Sequence, residues 1–256
     1  MAVLVDIGNT RLKWAALENG RLVRRGTAVH RDSLDSAIAA FAAALPAKPR
    51  IVVSNVAGGA VADRLAALVA SRPGASLELV ATSAERFGVR CAYAEPARLG
   101  VDRWVAVVAA HHHAARAAAC VLNAGTAVTF DAVDAGGAHL GGLILPSARL
   151  QAAALDRDTS NIGRTAPATE VARGLALLGR NTDSAVAHGA WLALAAALDR
   201  AVTTVAGALG SAPVVYLTGG DAAALKGWLE TPVELRADLV LEGLALFAGA
   251  RAEARR

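Results

Sequence analysis

Two glycine turns of one kind, one heading each half of the chain, constrain its fold more than any other feature. The first lies in Val3-Leu4-Val5-Asp6-Ile7-Gly8-Asn9-Thr10-Arg11-Leu12-Lys13-Trp14. The second lies in Cys120-Val121-Leu122-Asn123-Ala124-Gly125-Thr126-Ala127-Val128-Thr129-Phe130-Asp131. Each is an apolar strand ending in a polar residue, a glycine two positions on, a threonine close behind, and a second strand. Glycine permits a tight hairpin whose backbone N–H groups and threonine hydroxyl point into the turn. Such concave donor sets bind phosphate oxygens, and an acidic residue at the strand end can hold a cation beside them. Two copies imply a fold built twice, gripping a polyphosphate from two sides.

The 256 residues are 55% hydrophobic, enough for a substantial core or for two small domains. No apolar run approaches the roughly 20 residues that span a bilayer, so no membrane partner is expected. A strand begins at residue 2 with no basic stretch or cleavage site before it, which points away from a signal peptide and toward the cytoplasm. Cys91 and Cys120 lie far apart and frame neither a disulfide set nor a zinc site. The formal charge is +4 and the isoelectric point about 9.6. Yet arginines such as Arg64, Arg116, Arg173, Arg200 and Arg251 are scattered among alanines, with no basic run interleaved with aromatics. This argues against a nucleic-acid partner and suits an enzyme of anionic substrates.

Strands are expected at 2–7, 11–17 and 22–29, a helix at 34–45, a strand at 50–54, a helix at 61–71 and a strand at 77–81. A helix at 103–118 leads into the second turn. The second half repeats the order, with strands at 119–122, 126–133 and 139–145, then helices at 147–154, 170–178 and 184–205. A buried-type strand at 213–217 runs into Thr218-Gly219-Gly220-Asp221, followed by a helix at 222–229, a short strand at 233–235 and a closing helix at 239–252. This order predicts an internally duplicated α/β fold of two domains, 1–117 and 118–256, each a mixed sheet flanked by helices.

Asp6 ends a buried strand. As the carboxylate of an Asp-x-Gly sequence it either caps the turn or faces nucleotide phosphates through Mg²⁺ or its water, and Gly8, Asn9, Thr10 and Lys13 in the same hairpin favour the phosphate. Lys13 either reaches a phosphate as a point charge or lies on a solvated strand face. In Leu99-Gly100-Val101-Asp102-Arg103-Trp104, Asp102 stands at a helix N-terminus. It is either an ordinary N-cap or the carboxylate that a kinase needs to orient an attacking hydroxyl and accept its proton. Arg103 then offers a planar fork to an anionic substrate. Gly141-Gly142 reads as a place of close backbone approach or of packing. The Thr218–Asp221 segment reads as an adenosine seat or a plain turn. His111, His112 and His113 splay around a helix axis, so a solvated surface is expected rather than a metal face.

Asp6-Ile7-Gly8-Asn9-Thr10, Gly100-Val101-Asp102-Arg103, Gly125-Thr126-Ala127-Val128-Thr129 and Asn181-Thr182 occur in the order and spacing of type III pantothenate kinases, also called Bvg accessory factor proteins. The chain resembles that family over essentially its whole length. The resemblance implies an actin-like two-domain fold of the actin, hexokinase and Hsp70 type, a homodimer, and ATP-dependent phosphorylation of pantothenate to 4′-phosphopantothenate, the first step of coenzyme A synthesis. It implies that Asp6, Ile7, Gly8, Asn9, Thr10, Arg11, Leu12 and Lys13 line the ATP phosphates, with Mg²⁺ near Asp6, and that Thr126 binds ATP. Tyr93, Gly100, Val101, Asp102 and Arg103 would hold pantothenate, with Asp102 as base, and Thr182 would reach the neighbouring subunit's substrate. Family members hold K⁺ or NH₄⁺ on an aspartate where this sequence has Asn123, so weaker cation binding is expected. Two rivals are an actin-fold kinase of another small hydroxy acid, which the glycine turns fit equally, and a non-enzymatic accessory or regulatory protein, which would not need Asp102.

Overall fold

The computed structural model describes residues 1–115, 117–160 and 171–253, with side chains to residue 249. Alternation along β1 (Ala2–Ile7) sends Val3, Val5 and Ile7 to one face of a sheet and Leu4 and Asp6 to the other. The glycine turn returns the chain antiparallel as β2 (Arg11–Glu18), followed by β3 (Arg21–Val29), α1 (Leu34–Ala44), β4 (Arg50–Asn55), α2 (Gly59–Ala70) and β5 (Ser76–Leu79). The strand order is β3-β2-β1-β4-β5, with β1, β4 and β5 parallel. Val5, Ile7, Leu12, Trp14, Ile51 and Val53 pack on Phe41 of α1 and on Val61 and Leu65 of α2. A short hairpin, β6 (Glu85–Arg86) with β7 (Val89–Arg90), precedes α3 (Val101–His113). The sequence did not anticipate that hairpin.

The second sheet repeats the first. It comprises β8 (Ala119–Ala124), β9 (Ala127–Val133), β10 (His139–Pro146), β11 (Val214–Thr218) and β12 (Glu234–Leu235), in the order β10-β9-β8-β11-β12. Cys120, Leu122, Val128, Phe130, Val215 and Leu217 form one core with Ala148 of α4 (Ala148–Asp158), Trp191, Leu194 and Leu198 of α5 (Thr182–Leu209), and Leu225 of α6 (Ala222–Lys226). The mixed-sheet duplication expected from the sequence is present.

Four expectations change. Residues 171–178 hold no α-helix: Arg173 is extended (φ −134°, ψ 156°), leaving a single 3-10 turn at Gly174–Leu177, and residue 170 lies outside the described residues. The helix expected at 103–118 starts at Val101 and stops at His113, where the chain turns through Ala115 at φ 48°. A run long enough to span a bilayer does exist. By length and composition α5 qualifies, because its alanines extend an apolar stretch of which only 28% is buried.

The fourth concerns the closing helix, α7 (Leu239–Glu253). By contacts, Met1–Ala109 and the chain from Asp238 onward form one unit, and Ala110–Ala237 the other. The sequence division had given this helix to the second half. Charged anchors bind it to the first: Arg25 Nε pairs with Asp238 at 2.6 Å, and Arg50 Nη1 donates to the Ala248 carbonyl at 2.9 Å while pairing with Glu78 at 3.1 Å. Contact with α3 is close. A Cβ on Gly243 would stand 2.4 Å from the Val105 carbonyl oxygen.

Candidate active site

Strand register builds the candidate site of the first unit. Asp6 lies opposite Lys13 on β2 and level with Ser54 on β4, all three on the sheet face turned away from the α1/α2 core. The Asp6 Oδ1 atom is buried with no hydrogen-bond partner. Burial and then the negative charge of Asp102 push the Asp6 carboxyl up to about 7, and Lys13 and Ser54 offset part of that rise. Lys13 is half-buried and near enough for its charge to act on Asp6. The turn itself is closed by the Gly8 N–H donating to the Arg11 carbonyl at 3.1 Å. Asn9 is exposed at its tip, and Gly8 and Thr10 are half-buried.

Asp102, on α3, is near enough for its charge to raise the Asp6 carboxyl. The Trp104 N–H donates to the Gly100 carbonyl at 3.0 Å, so the helix opens at Gly100–Val101 and Asp102 sits inside the first turn rather than at the cap. Its Oδ1 accepts the Arg103 N–H at 2.8 Å, and a Cβ on Gly100 would meet the same oxygen at 2.8 Å. Only glycine leaves that carboxylate its place. Arg103 is 6% exposed, with Nη1 3.2 Å from the Tyr93 hydroxyl and its guanidinium 5.9 Å from the ring centre. The loop before α3 is tied down by Thr82 Oγ1, which donates to the Leu99 carbonyl at 2.9 Å. Tyr93, Gly100, Val101, Asp102 and Arg103 thus form one cluster, and its charge reaches Asp6.

The second unit carries the corresponding turn. Asn123 occupies the place of Asp6, flanked in register by Thr129 and Thr218 where Asp6 has Lys13 and Ser54. The Gly125 N–H donates to the Asn123 and Ala127 carbonyls, both at 3.2 Å, with half-buried Thr126 at the tip. Gly219 adopts φ 101°, and a Cβ there would lie 2.3 Å from the Ala124 oxygen, so the β11–α6 turn packs directly on the glycine turn. The Asp221 N–H donates to that same oxygen at 3.0 Å. Thr182 is exposed as the first residue of α5, and Asn181 caps the helix in a reciprocal pair with Ser184. Gly141 serves a bulge rather than a close approach, since nothing lies within 4 Å of its would-be Cβ. Of the three histidines, His112 is exposed, but His111 and His113 are half-buried, with the His113 ring 6.3 Å from Tyr216. Among the described residues, no group of three or more side chains could hold a metal alone.

Sequence reading missed two features. His30, just past β3, holds the Gly8 carbonyl at 2.7 Å. Asp131 and His139 pair at 3.0 Å, both buried, in the second sheet. A lone carboxylate inside an apolar strand was the available signal for Asp131.

Two five-stranded sheets of the same strand order, each headed by a glycine turn and covered by helices, define the actin-like fold, and solved structures sharing it include sugar and sugar-acid kinases. A Baf family protein of Campylobacter jejuni superposes with TM-score 0.59 at 18% identity, covering 98% of this chain and 99% of the other. The family model described as type III pantothenate kinase matches residues 2–204. Type III pantothenate kinase of Nitrosococcus oceani is 34% identical, covering 100% of this chain and 97% of its own length. That of Chromobacterium violaceum is 41% identical, with 97% and 99% covered. The chain belongs to the type III pantothenate kinase family.

Proposed function

We propose that the Asp6–Lys13 turn takes the phosphates of ATP, and that Asp102 and Arg103 receive pantothenate. The reaction is ATP-dependent phosphorylation of pantothenate to 4′-phosphopantothenate, the first step of coenzyme A synthesis, as family membership supports. The observation that supports the residue assignment is that the charges of Asp102 and of Lys13, the register partner of Asp6, both act on the Asp6 carboxyl.

Pantothenate has a carboxylate at one end and a primary hydroxyl at the other. Arg103, held by Tyr93, presents the fork that fits the carboxylate. The hydroxyl is too weak an acid for Asp102 to ionise beforehand. Asp102 therefore orients it and takes the proton late, as the loose transition state collapses onto the new oxygen. Lys13 and the N–H groups of the first turn balance charge on the transferred phosphoryl group, and Thr126 of the second turn supplies a further contact to ATP. An unpartnered buried oxygen on Asp6, whose ionisation is costly, fits a nearby cation. Mg²⁺ held by the phosphates with one protein carboxylate would supply charge neutralisation there. Asn123 offers K⁺ or NH₄⁺ only a neutral oxygen beside two threonines, so binding is weak and Asn123→Asp lowers the cation concentration for half-maximal activity.

We assign the active unit as a homodimer, with Thr182 completing the partner's pantothenate site. The exposed face of α5, where Ala185, Leu192, Ala193 and Ala196 stand opposite the core-facing Trp191, Leu194 and Leu198, supports this. Thr182→Arg then raises the pantothenate KM far more than that of ATP, and a fully active monomer in sedimentation rules it out. Free Cys91 and Cys120 and the use of ATP support a cytoplasmic location. The deciding experiment incubates the protein with ATP, Mg²⁺, K⁺ or NH₄⁺ and a panel of small hydroxy acids. Phosphorylated pantothenate by mass spectrometry is expected. Product from another acid alone, or none at all, overturns the assignment.

A further inference from the structure

His30 follows β3 immediately and is only 9% exposed. Its Nε2 lies 2.7 Å from the Gly8 carbonyl oxygen, and its backbone N–H donates to the Thr10 carbonyl at 3.0 Å. A carbonyl oxygen only accepts, so Nε2 carries the hydrogen. In a two-residue turn over Asn9 and Thr10, the ordinary donor to the Gly8 carbonyl is the Arg11 N–H. Among the described residues that bond is not made, and the imidazole takes its place. A peptide unit is flat and trans, so pinning its carbonyl on one side aims its N–H to the other. Holding the Gly8 carbonyl fixes the Asn9 N–H, and holding the Thr10 carbonyl fixes the Arg11 N–H.

We propose that His30 is a positioning residue for phosphate binding: its imidazole fixes the Gly8–Asn9 peptide plane of the first glycine turn and so aims the Asn9 N–H at the ATP phosphates, beside an Arg11 N–H already set by the strand register. Without it the Gly8 carbonyl is free to swing toward the anion, replacing a donor by an acceptor. This role rests on the reading of the Asp6–Lys13 turn as the phosphate site.

The test compares His30→Leu, which keeps bulk but loses the donor, with His30→Gln, which keeps an N–H of similar reach. Kinetics, ATP affinity by calorimetry and melting temperature are read for each. His30→Leu is expected to raise the ATP KM and Kd about tenfold, the size of one neutral hydrogen bond, with the pantothenate KM within about twofold. His30→Gln stays near the parent, and His30→Gly recovers ATP affinity on addition of imidazole. If the leucine variant does not fold, the glycine variant with and without imidazole makes the same comparison. Lys13→Met separates the two readings. Unchanged ATP affinity in Lys13→Met removes the turn as the phosphate site. A loss there, with His30→Leu still binding ATP like the parent, overturns the positioning role alone. Equal losses in His30→Leu and His30→Gln also overturn it, because packing and not the donor then matters.

Discussion

Asp6 and Asp102 are two carboxylates in one unit whose surroundings set different tasks. An acid held at about 7 against an ordinary 3.8 binds its proton more tightly in the folded state. Stability is therefore full below the unfolded value and falls as pH rises toward 7, where the buried group must ionise. Asp6→Asn should melt near the parent at about pH 4 and above it at about pH 8, while weakening ATP affinity. The same melting difference at both values would show that the carboxyl is not strained by burial. Asp102→Asn should lower turnover about 10²-fold or more with ATP affinity kept. Because Asp102 lies inside the turn rather than at the cap, losing a cap cannot account for such a fall. The glycine turns and Gly100–Arg103 were legible in the sequence because each is a local pattern of residue types. His30 was not, since its role depends on β3 ending beside Thr10, a register that no neighbouring residue announces.

Elements were legible where their periodicity was local. β1, β3 and β9 lie where alternation put their starts or ends, whereas residues 171–178 carried a helical pattern that one extended residue interrupts. Helix starts follow caps: α5 opens at Thr182 because Asn181 accepts the Ser184 N–H at 2.9 Å. Asn181→Ala should cost about 1 kcal/mol, read as a lower denaturant midpoint. An unchanged midpoint would mean that the cap is solvated at no loss. Packing between elements sets a second prediction. The close approach of α7 to α3 leaves no room for a side chain at Gly243, so Gly243→Ala should destabilise by about 1–3 kcal/mol as the helices part. Turnover should fall as well, because α3 carries Asp102. A variant as stable and as active as the parent would show that the helices separate freely.

At the scale of the whole molecule the duplication was readable, since three strands opening on a glycine turn and then alternating helices and strands occur twice, and the strand order repeats. The partner of α7 was not. An apolar helix suits either sheet by composition; its packing on β1 and β4 is set together with Arg25, Arg50 and Gly243, far away in the chain or featureless in isolation. That return has a consequence for synthesis. A protein leaves the ribosome from its N-terminus, and domains ordinarily fold in that order. Here the first unit needs Asp238 and the helix after it, whereas Ala110–Ala237 is one continuous stretch. The later-made unit can therefore close while the earlier one still lacks a wall. Nascent chains stalled with residue 237 just outside the exit tunnel should resist protease across 119–160 and be cut within 1–109, and release of the last helix should protect both. Protection of the first unit before Asp238 emerges would show that it folds without α7.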